Sequence, residues 1–227
     1  MRLIERNTSA QVYRALFQHV IDDGIRGVSE DGADVLNAPG TICCHINKPM
    51  DQLPELIRLS PLGPMAMEQY MHDFVDGVSP DDPRPMDFEY TYHDRLFNYS
   101  YPGHYNKTSQ IQNIIDKLKR NPFSRRAVSV LWKPWEDIDS HDPPCLDMIK
   151  VNTSSDCKRA NMSCVFRSHD LIGGWKNNVY ALTYLLKHIA DQTGRGVGYL
   201  EIISFDGHIY MSDWDKVETI KKVLKIV

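Results

Sequence analysis

Apolar residues recur every three or four positions in five segments of the chain, and this period predicts five helices. The predicted helices cover about residues 10–23, 65–75, 108–120, 178–191 and a final segment that Ser212 caps. In the clearest of them, 108–120, one face carries Ile111, Ile114, Ile115 and Leu118, and an Asn-Pro pair ends the helix. We therefore expect amphipathic helices that bury one side each.

Shorter runs of apolar and β-branched residues predict strands. The predicted strands cover residues 41–44, 127–132, 148–151, 162–166 and 199–205. Residues 27–47 begin rich in Gly, Asp and Asn and turn apolar near their end, which predicts a loop followed by a strand. Helices and strands mix without strict alternation, so we expect an α+β fold in a single domain over residues 1–227.

Composition narrows the class of protein. Hydrophobic residues make up 42% of the 227 positions and charged residues 25%, as in ordinary globular domains. The net charge of −4 provides no basic field, which argues against nucleic acid or a membrane surface as a partner. Five cysteines without a C-x-x-C pair predict reduced thiols and no metal site. We see no signal peptide and no membrane-spanning stretch, which favours the cytoplasm.

Cys145 is the first candidate for chemistry. It directly follows Pro143 and Pro144, which stiffen the backbone and exclude a helix interior. A thiol at the rigid start of a strand can be aimed into a cleft, and nearby positive charge would make it a stronger nucleophile. Taken alone, a small buried hydrophobe is the simpler explanation.

Two segments suit a phosphate group. Ser124, Arg125 and Arg126 occupy a turn between a predicted helix and a predicted strand, and Arg167 with Ser168 follows another strand. Guanidinium groups and hydroxyls match the oxygen atoms of a phosphate. For the Arg-Arg pair alone, a solvated turn is the simpler interpretation.

A third group suits a base and a sugar. Asp170 could accept from an N–H or cap a helix, and Gly174 lets the backbone approach a flat ligand. Asn178 is either an N-cap or an amide that presents an acceptor and donors to a uracil edge. His208 and Tyr210 share one face of a strand, where they could bind a sugar hydroxyl, although a core histidine is the simpler interpretation.

Five short motifs occur in a fixed order: Ser-Arg-Arg, Pro-Pro-Cys, Arg-Ser-x-Asp, an Asn eight residues after that Asp, and His-x-Tyr. In this order and spacing they resemble the thymidylate synthase family. The resemblance covers roughly residues 108–215 and is faint before residue 90. It implies a mixed twisted sheet packed by helices, with one sheet face forming the interface of a homodimer.

The resemblance also implies roles for individual residues. Cys145 matches the cysteine that adds to C6 of dUMP, although Leu146 stands where the family commonly has histidine. Arg125 and Arg126 match a pair that reaches the active site of the partner subunit. The remaining matches concern substrate and folate: Arg167 and Ser168 with the phosphate, Asp170 and Gly174 with pyrimidine and folate, Asn178 with the base, and His208 and Tyr210 with the ribose.

Matches in the first part of the chain are weaker. Tyr92 corresponds to a tyrosine of the family's active-site water network. Glu68 is the better match to the family's proton-relaying glutamate, and Glu89 is a rival. The family's phosphate loop normally carries an arginine, whereas residues 29–40 contain none.

The implied reaction is the methylation of dUMP at C5 with 5,10-methylenetetrahydrofolate, or a related reduced pterin, as co-substrate and without a metal. Water in place of hydride would instead make the enzyme a hydroxymethylase. Asn178 favours uracil, because the unprotonated N3 of cytosine suits an acidic residue. Two other classes stay open: a cysteine hydrolase that pairs Cys145 with His208, and a nucleotide- or RNA-binding regulator without catalysis.

Overall fold

The computed structural model describes residues 1–60, 63–78 and 90–226. The helices within these ranges are α1 (Ser9–Asp23), α2 (Leu53–Arg58), α3 (Gly63–Val75), α4 (Tyr92–Phe97), α5 (Gln110–Arg120), α6 (Pro134–Asp137), α7 (Trp175–Gln192) and α8 (Trp214–Leu224). The strands are β1 (Arg2–Arg6), β2 (Ile25–Val28), β3 (Asp34–Asn37), β4 (Ile42–Ile46), β5 (Val128–Val130), β6 (Leu146–Thr153), β7 (Arg159–Asp170) and β8 (Gly196–Tyr210).

The strands form one mixed sheet, in the order β1-β4-β8-β7-β6-β5. The β2–β3 hairpin joins this sheet through β3, which pairs with the end of β8. The pairs β1–β4 and β7–β8 are parallel, and the remaining pairs are antiparallel. This mixed sheet, packed by helices, confirms the expected α+β class.

One face of the sheet carries the hydrophobic core. Strand residues such as Ile149, Cys164 and Ile202 are fully buried there, together with Leu16 of α1 and Leu182 of α7. The alternation of side chains along each strand places every second residue on this face. The helices bury their apolar stripes against this face.

The opposite face, which we call the open face, carries two rows of side chains that cross six strands in register. The first row is apolar and consists of Leu3, Cys43, Ile203, Val165, Met148 and Val130. The second row is mostly polar and consists of Glu5, His45, Glu201, Ser163, Lys150 and Val128. Exposure reaches 59% at Leu3 and 44% at Val130, so the described residues leave the ends of the apolar row open to solvent.

The segment before β4 corrects one expectation. Most of the predicted loop over 27–47 is the β2–β3 hairpin, which is closed by a turn in which Ser29 N–H donates to the carbonyl of Ala33. Val35 and Leu36 of β3 are buried against β8. Pairing with β8 therefore overrides the weak local preference of a Gly- and Asp-rich stretch.

Several boundaries also differ from the prediction. Helix α7 begins at Trp175, so Asn178 lies inside it and is not an N-cap. Ser212 lies in a 3₁₀ turn, and α8 has no side-chain cap. Strand β5 is shorter than the predicted 127–132, although backbone hydrogen bonds at Ala127 and Leu131 still join the flanking residues to β6. Strand β1 and helices α2, α4 and α6 were not predicted, since each is six residues or shorter and gives no clear period.

Candidate functional site

The site is built around the start of β6, where Cys145 lies beside β7. Arg167 N–H donates to the carbonyl of Cys145 at 3.0 Å, which continues the β6–β7 pairing by one residue. The two prolines before the cysteine cannot donate to a ladder, so the chain leaves the sheet there. The thiol is half-buried at this edge.

Arg167 holds the proline segment in place. Its Nε donates to the carbonyl of Pro144 at 2.9 Å, and its Nη2 donates to the carbonyl of Pro143 at 2.7 Å. The guanidinium also lies 5.7 Å from the centre of the Trp132 ring, a cation–π distance. Because Nη1 makes no hydrogen bond within the described part of the chain, Arg167 can hold the loop and still donate to an anion.

The pKa of the Cys145 thiol is raised above its ordinary value. Burial is the main cause, and the positive charge of Arg167 opposes it. Three carboxylates, Asp142, Asp147 and Asp170, raise it further. The thiol is therefore largely protonated at neutral pH, and its activation requires removal of a proton.

Besides Tyr210, three tyrosines lie close enough to Cys145 for its charge to raise their pKa values, with burial as the main cause in each case. They are Tyr70 of α3, Tyr92 at the start of α4, and Tyr90, which lies two residues before Tyr92. The ring centroids of Tyr90 and Tyr92 are 5.6 Å apart. Tyr92 thus lies near Cys145 and its role stays a prediction, whereas sequence reasoning missed Tyr70.

Asn178 lies one turn into α7 and is almost fully buried. Its Oδ1 accepts from the hydroxyl of Tyr70 at 2.6 Å, and its Nδ2 lies 3.1 Å from Nε2 of His169. His169, on β7, stacks on Phe166 with ring centroids 3.9 Å apart. His169 occupies the variable position of the Arg-Ser-x-Asp motif. Nothing in the sequence predicted its contact with Asn178.

Asp170 and Gly174 shape the turn that leads into α7. The carboxylate of Asp170 accepts from the N–H groups of Ile172 at 2.8 Å and Gly173 at 3.0 Å. A Cβ on Gly174 would lie 3.2 Å from the carbonyl of Asp170 and 3.6 Å from Nδ2 of Asn178. The missing Cβ at Gly174 therefore lets the backbone pack closely against Asp170 and Asn178.

His208 and Tyr210 lie at the end of β8, and the sheet register pairs Asp170 with His208. Their rings meet edge to face with centroids 4.8 Å apart, and Nδ1 of His208 lies 3.1 Å from the carbonyl of Asp206. Burial is the main cause of the raised pKa of Tyr210, and the charges of Asp170 and Cys145 raise it further. The end of β8 therefore lies near the cysteine, and the sugar-binding roles of His208 and Tyr210 stay predictions.

Ser168 is paired in register with Asp206, between Arg167 and Asp170. Arg26 lies close in sequence to the arginine-free segment that precedes β4. The register places Arg26 with Leu36 and Ile209, on the face opposite His208 and Tyr210. Arg26 does not supply the phosphate ligand that the segment lacks.

Arg125 and Arg126 lie far from Cys145 in the same chain. They are exposed in the turn before β5, on a surface pocket of about 430 Å³ whose other basic residues are Lys117 and Arg120. Ala127 is level with Val151, because its carbonyl accepts from the Val151 N–H. Val151 lies six positions after Cys145, which is about 20 Å at the usual strand rise.

The two candidate glutamates have different outcomes. Glu68 is exposed on α3, and its electrostatic effect falls on Tyr180, not on Cys145. Its assignment as the proton relay stays a prediction that this position does not support. Glu89 lies outside the described residues, as does 79–85 of the predicted loop after α3.

In the described residues, no group of three or more His, Cys, Asp or Glu side chains is arranged to hold a metal ion. Over the same part of the chain, no helix combines the length and the apolar character that crossing a bilayer requires.

Comparison with known proteins agrees with this geometry. The family model described as thymidylate synthase matches residues 71–225. The chain belongs to the thymidylate synthase family. The matched range contains α7 and the strands that hold Cys145, Arg167 and His208.

Curated relatives agree with this membership, and each carries thymidylate synthase as a provisional name. The protein from Methanosarcina barkeri is 38% identical over 158 residues, which cover 69% of this chain and 66% of the relative, just under two thirds of its length. The protein from Methanothermobacter thermautotrophicus is 31% identical over 232 residues, covering 96% of this chain and 98% of the relative. The protein from Methanocaldococcus jannaschii is 30% identical, with 96% and 95% covered.

Proposed function

We propose that this member of the thymidylate synthase family methylates dUMP at C5 to give dTMP, with 5,10-methylenetetrahydrofolate as co-substrate. The observation that carries the proposal is the position of Cys145. Its thiol is half-buried with Arg167 beside it, and Tyr70 and Tyr210 lie close enough for its charge to raise their pKa values, to which burial contributes most. Asn178 is hydrogen-bonded to Tyr70, and the ring of His208 contacts that of Tyr210. This proximity supports the assignment of a nucleophile, an anion ligand, a base reader and sugar ligands to one site.

The first chemical step requires a thiolate. The charge of Arg167 lowers the pKa of Cys145 and opposes the effect of burial, and a nucleotide phosphate beside Arg167 would bring its pyrimidine over the sulfur. Addition of the sulfur to C6 moves an electron pair toward C5 and O4. An N–H of Asn178 stabilises the charge on O4, and such preorganised donors typically contribute several kcal/mol.

The sugar and the phosphate are bound by separate elements. His208 uses Nδ1 toward its own chain, so Nε2 is available to the ribose 3′-hydroxyl together with Tyr210. Arg167 and Ser168 bind the phosphate from within the chain. Arg125 and Arg126 bind it from the partner subunit, because about 20 Å of strand separates them from their own Cys145.

The open face supplies the homodimer interface. Its apolar row crosses six strands and includes the exposed Leu3 and Val130. Burial of such a continuous apolar row against a second copy removes it from water at roughly 25 cal/mol per Å². A two-fold axis through this face satisfies the closed symmetry that most homo-oligomers adopt.

The folate, when bound, supplies the one-carbon unit and the reducing hydride. Gly174 packs beside Asn178 in a turn that Asp170 fixes, and Asp170 and Gly174 match the family's contacts with the pyrimidine and the folate. Tyr92, with Tyr70 and Tyr90, lines the Cys145 side of the cleft and orders water for proton transfer at C5.

The decisive experiment incubates the protein with dUMP and 5,10-methylenetetrahydrofolate and identifies the nucleotide product by mass. We expect dTMP, together with tritium release from C5-labelled dUMP. A hydroxymethyl product would overturn methylation and assign the hydroxymethylase reaction to the same cysteine. Absence of both tritium release and product would overturn the proposal.

A further inference from the structure

Four side chains form a continuous hydrogen-bonded chain behind the cleft, and the motifs that define the family resemblance include only one of them. The hydroxyl of Tyr70 meets Oδ1 of Asn178 at 2.6 Å, and Nδ2 of Asn178 meets Nε2 of His169 at 3.1 Å. Nδ1 of His169 then meets Oγ of Ser204 at 3.0 Å. These hydrogen bonds join α3, α7, β7 and β8.

The direction of donation is the same along the whole series of hydrogen bonds. An amide nitrogen only donates, so Nε2 of His169 accepts, and the imidazole proton lies on Nδ1, from which it is donated to Ser204. Burial lowers the pKa of His169 to about 3, so the ring is neutral and keeps one acceptor nitrogen. The 2.6 Å distance between Tyr70 and Asn178 fits an O–H···O bond and is too short for an N–H···O bond.

These contacts fix which end of the Asn178 amide is the acceptor. They occupy one lone pair of Oδ1 and one hydrogen of Nδ2, and leave one lone pair and one N–H for a ligand. Uracil presents N3–H and O4, which need an acceptor and a donor in this order. Cytosine presents an unprotonated N3 and an amino group, which need the reverse order. A rotated amide would therefore accept cytosine.

We propose that Tyr70 and His169 are positioning residues that lock the Asn178 amide in the orientation that selects a uracil nucleotide over a cytosine nucleotide. Leu146, which stands where the family commonly has histidine, is fully buried in the core and has no polar atom to offer. His169 supplies a ring nitrogen to Asn178 from β7 instead. This inference rests on the proposed function only in requiring that a pyrimidine nucleotide binds beside Asn178.

The test is a comparison of binding constants for dUMP and dCMP, measured by calorimetry without folate. We expect the wild-type protein to prefer dUMP, and His169→Leu to reduce this preference by about tenfold, the effect of one hydrogen bond of ordinary strength. Tyr70→Phe removes the hydroxyl that donates to Asn178 and should reduce the preference for dUMP several-fold. Tyr180→Phe and His188→Leu, which change the same residue types on α7 without touching Asn178, should leave the preference at the wild-type value.

A purely structural role would weaken the binding of both nucleotides equally. An unchanged preference for dUMP in both His169→Leu and Tyr70→Phe would therefore overturn the inference. If His169→Leu fails to fold, Tyr70→Phe alone decides by the same criterion. A double-mutant cycle adds a second check, because the carboxylate of Asn178→Asp has two equivalent oxygens and no orientation to lock. His169→Leu should then have no effect on the dUMP to dCMP ratio, and an effect of the original size would overturn the inference. A wild-type protein that binds neither nucleotide would instead refute the proposed function.

Discussion

The two ends of β6 differ in how completely one chain builds them. At its start, Cys145 lies close to residues of β7, α3 and α4, and Arg167 donates hydrogen bonds to the carbonyl groups of both prolines. Beside its other end, Arg125 and Arg126 stand exposed on a basic surface pocket. The first end is already ordered by contacts within the chain, whereas the guanidinium groups at the second end face solvent. This difference underlies the proposal that a complete site takes one end from each of two copies of the chain.

Replacement of the nucleophile should have the largest effect. Cys145→Ser should lower turnover on the order of 10⁴-fold or more, because a hydroxyl is a far weaker nucleophile than a thiolate. Binding of dUMP, measured by calorimetry, should persist. Cys157→Ser changes a half-buried cysteine at a turn and should keep full activity. Substantial activity in Cys145→Ser would remove the start of β6 from the mechanism.

The second prediction joins the two ends. An Arg125→Ala/Arg126→Ala variant should lose about 10- to 100-fold in dUMP affinity per charge-assisted bond removed. The variant can be mixed with Cys145→Ser by refolding or co-expression. Half of the resulting dimers should contain one copy of each variant, and each of these has one intact site out of two. Activity should therefore recover to about a quarter of the wild-type value.

The control for this mixture uses the open face. Ile203→Glu in both chains places a charge in the centre of the apolar row, so dimers should dissociate and recovery should vanish. Light scattering measures the assembly, and Ile138→Glu, at a position that is exposed in the single chain, serves as the matched substitution. Failure of the mixture to recover, with dimers intact, would show that the arginines do not complete the partner's site.

A third change tests the electrostatics at the start of β6. Since Arg167 lowers the pKa of Cys145, Arg167→Leu should raise that pKa further. Alkylation of Cys145 by iodoacetamide depends on the thiolate, so its rate profile should move to higher pH. Mass spectrometry of the Cys145 peptide reports the rate, and Arg26→Leu, at an arginine on the face opposite the site, should leave the profile in place. An unchanged profile in Arg167→Leu would contradict the assigned electrostatic role.

The smallest effect concerns acid stability. The pKa of His169 is lowered to about 3 by burial, whereas an unfolded histidine titrates near 6.5. Between these pH values the unfolded chain binds a proton that the folded protein does not. The contribution of His169 to the free energy of unfolding is therefore fully present above pH 6.5 and falls by about 1.4 kcal/mol per pH unit below it.

Urea unfolding at a series of pH values measures this slope. His169→Leu should flatten it by one proton, and His188→Leu should not. An equal slope in wild type and His169→Leu would mean that the ring titrates normally and is not held neutral beside Asn178.

Much of the chain could be predicted because local patterns decide it. The faces of α1 and α5 follow from apolar spacing, and the antiparallel pair β6–β7 follows from two apolar runs around a polar turn. The short hairpin β2–β3 could not be predicted, since its strands are stabilised by pairing with β8, some 170 residues away.

The candidate site divides in the same way. Cys145, Arg167, Asn178 and His208 were found because each stands in a short motif. Tyr70 was missed because it lies in an amphipathic helix where a tyrosine carries no special signal. Its contact with Asn178 joins positions 108 residues apart.

The amino-acid sequence by itself determined the helix faces, the rigid approach to the nucleophile and the presence of arginines for an anion, because these depend on neighbours within one turn or one strand. Only the tertiary structure decided which amide end faces the ligand and how far Arg126 lies from Cys145. Both depend on the register between strands and on helix packing, where a shift by one residue would turn each side chain to the other face.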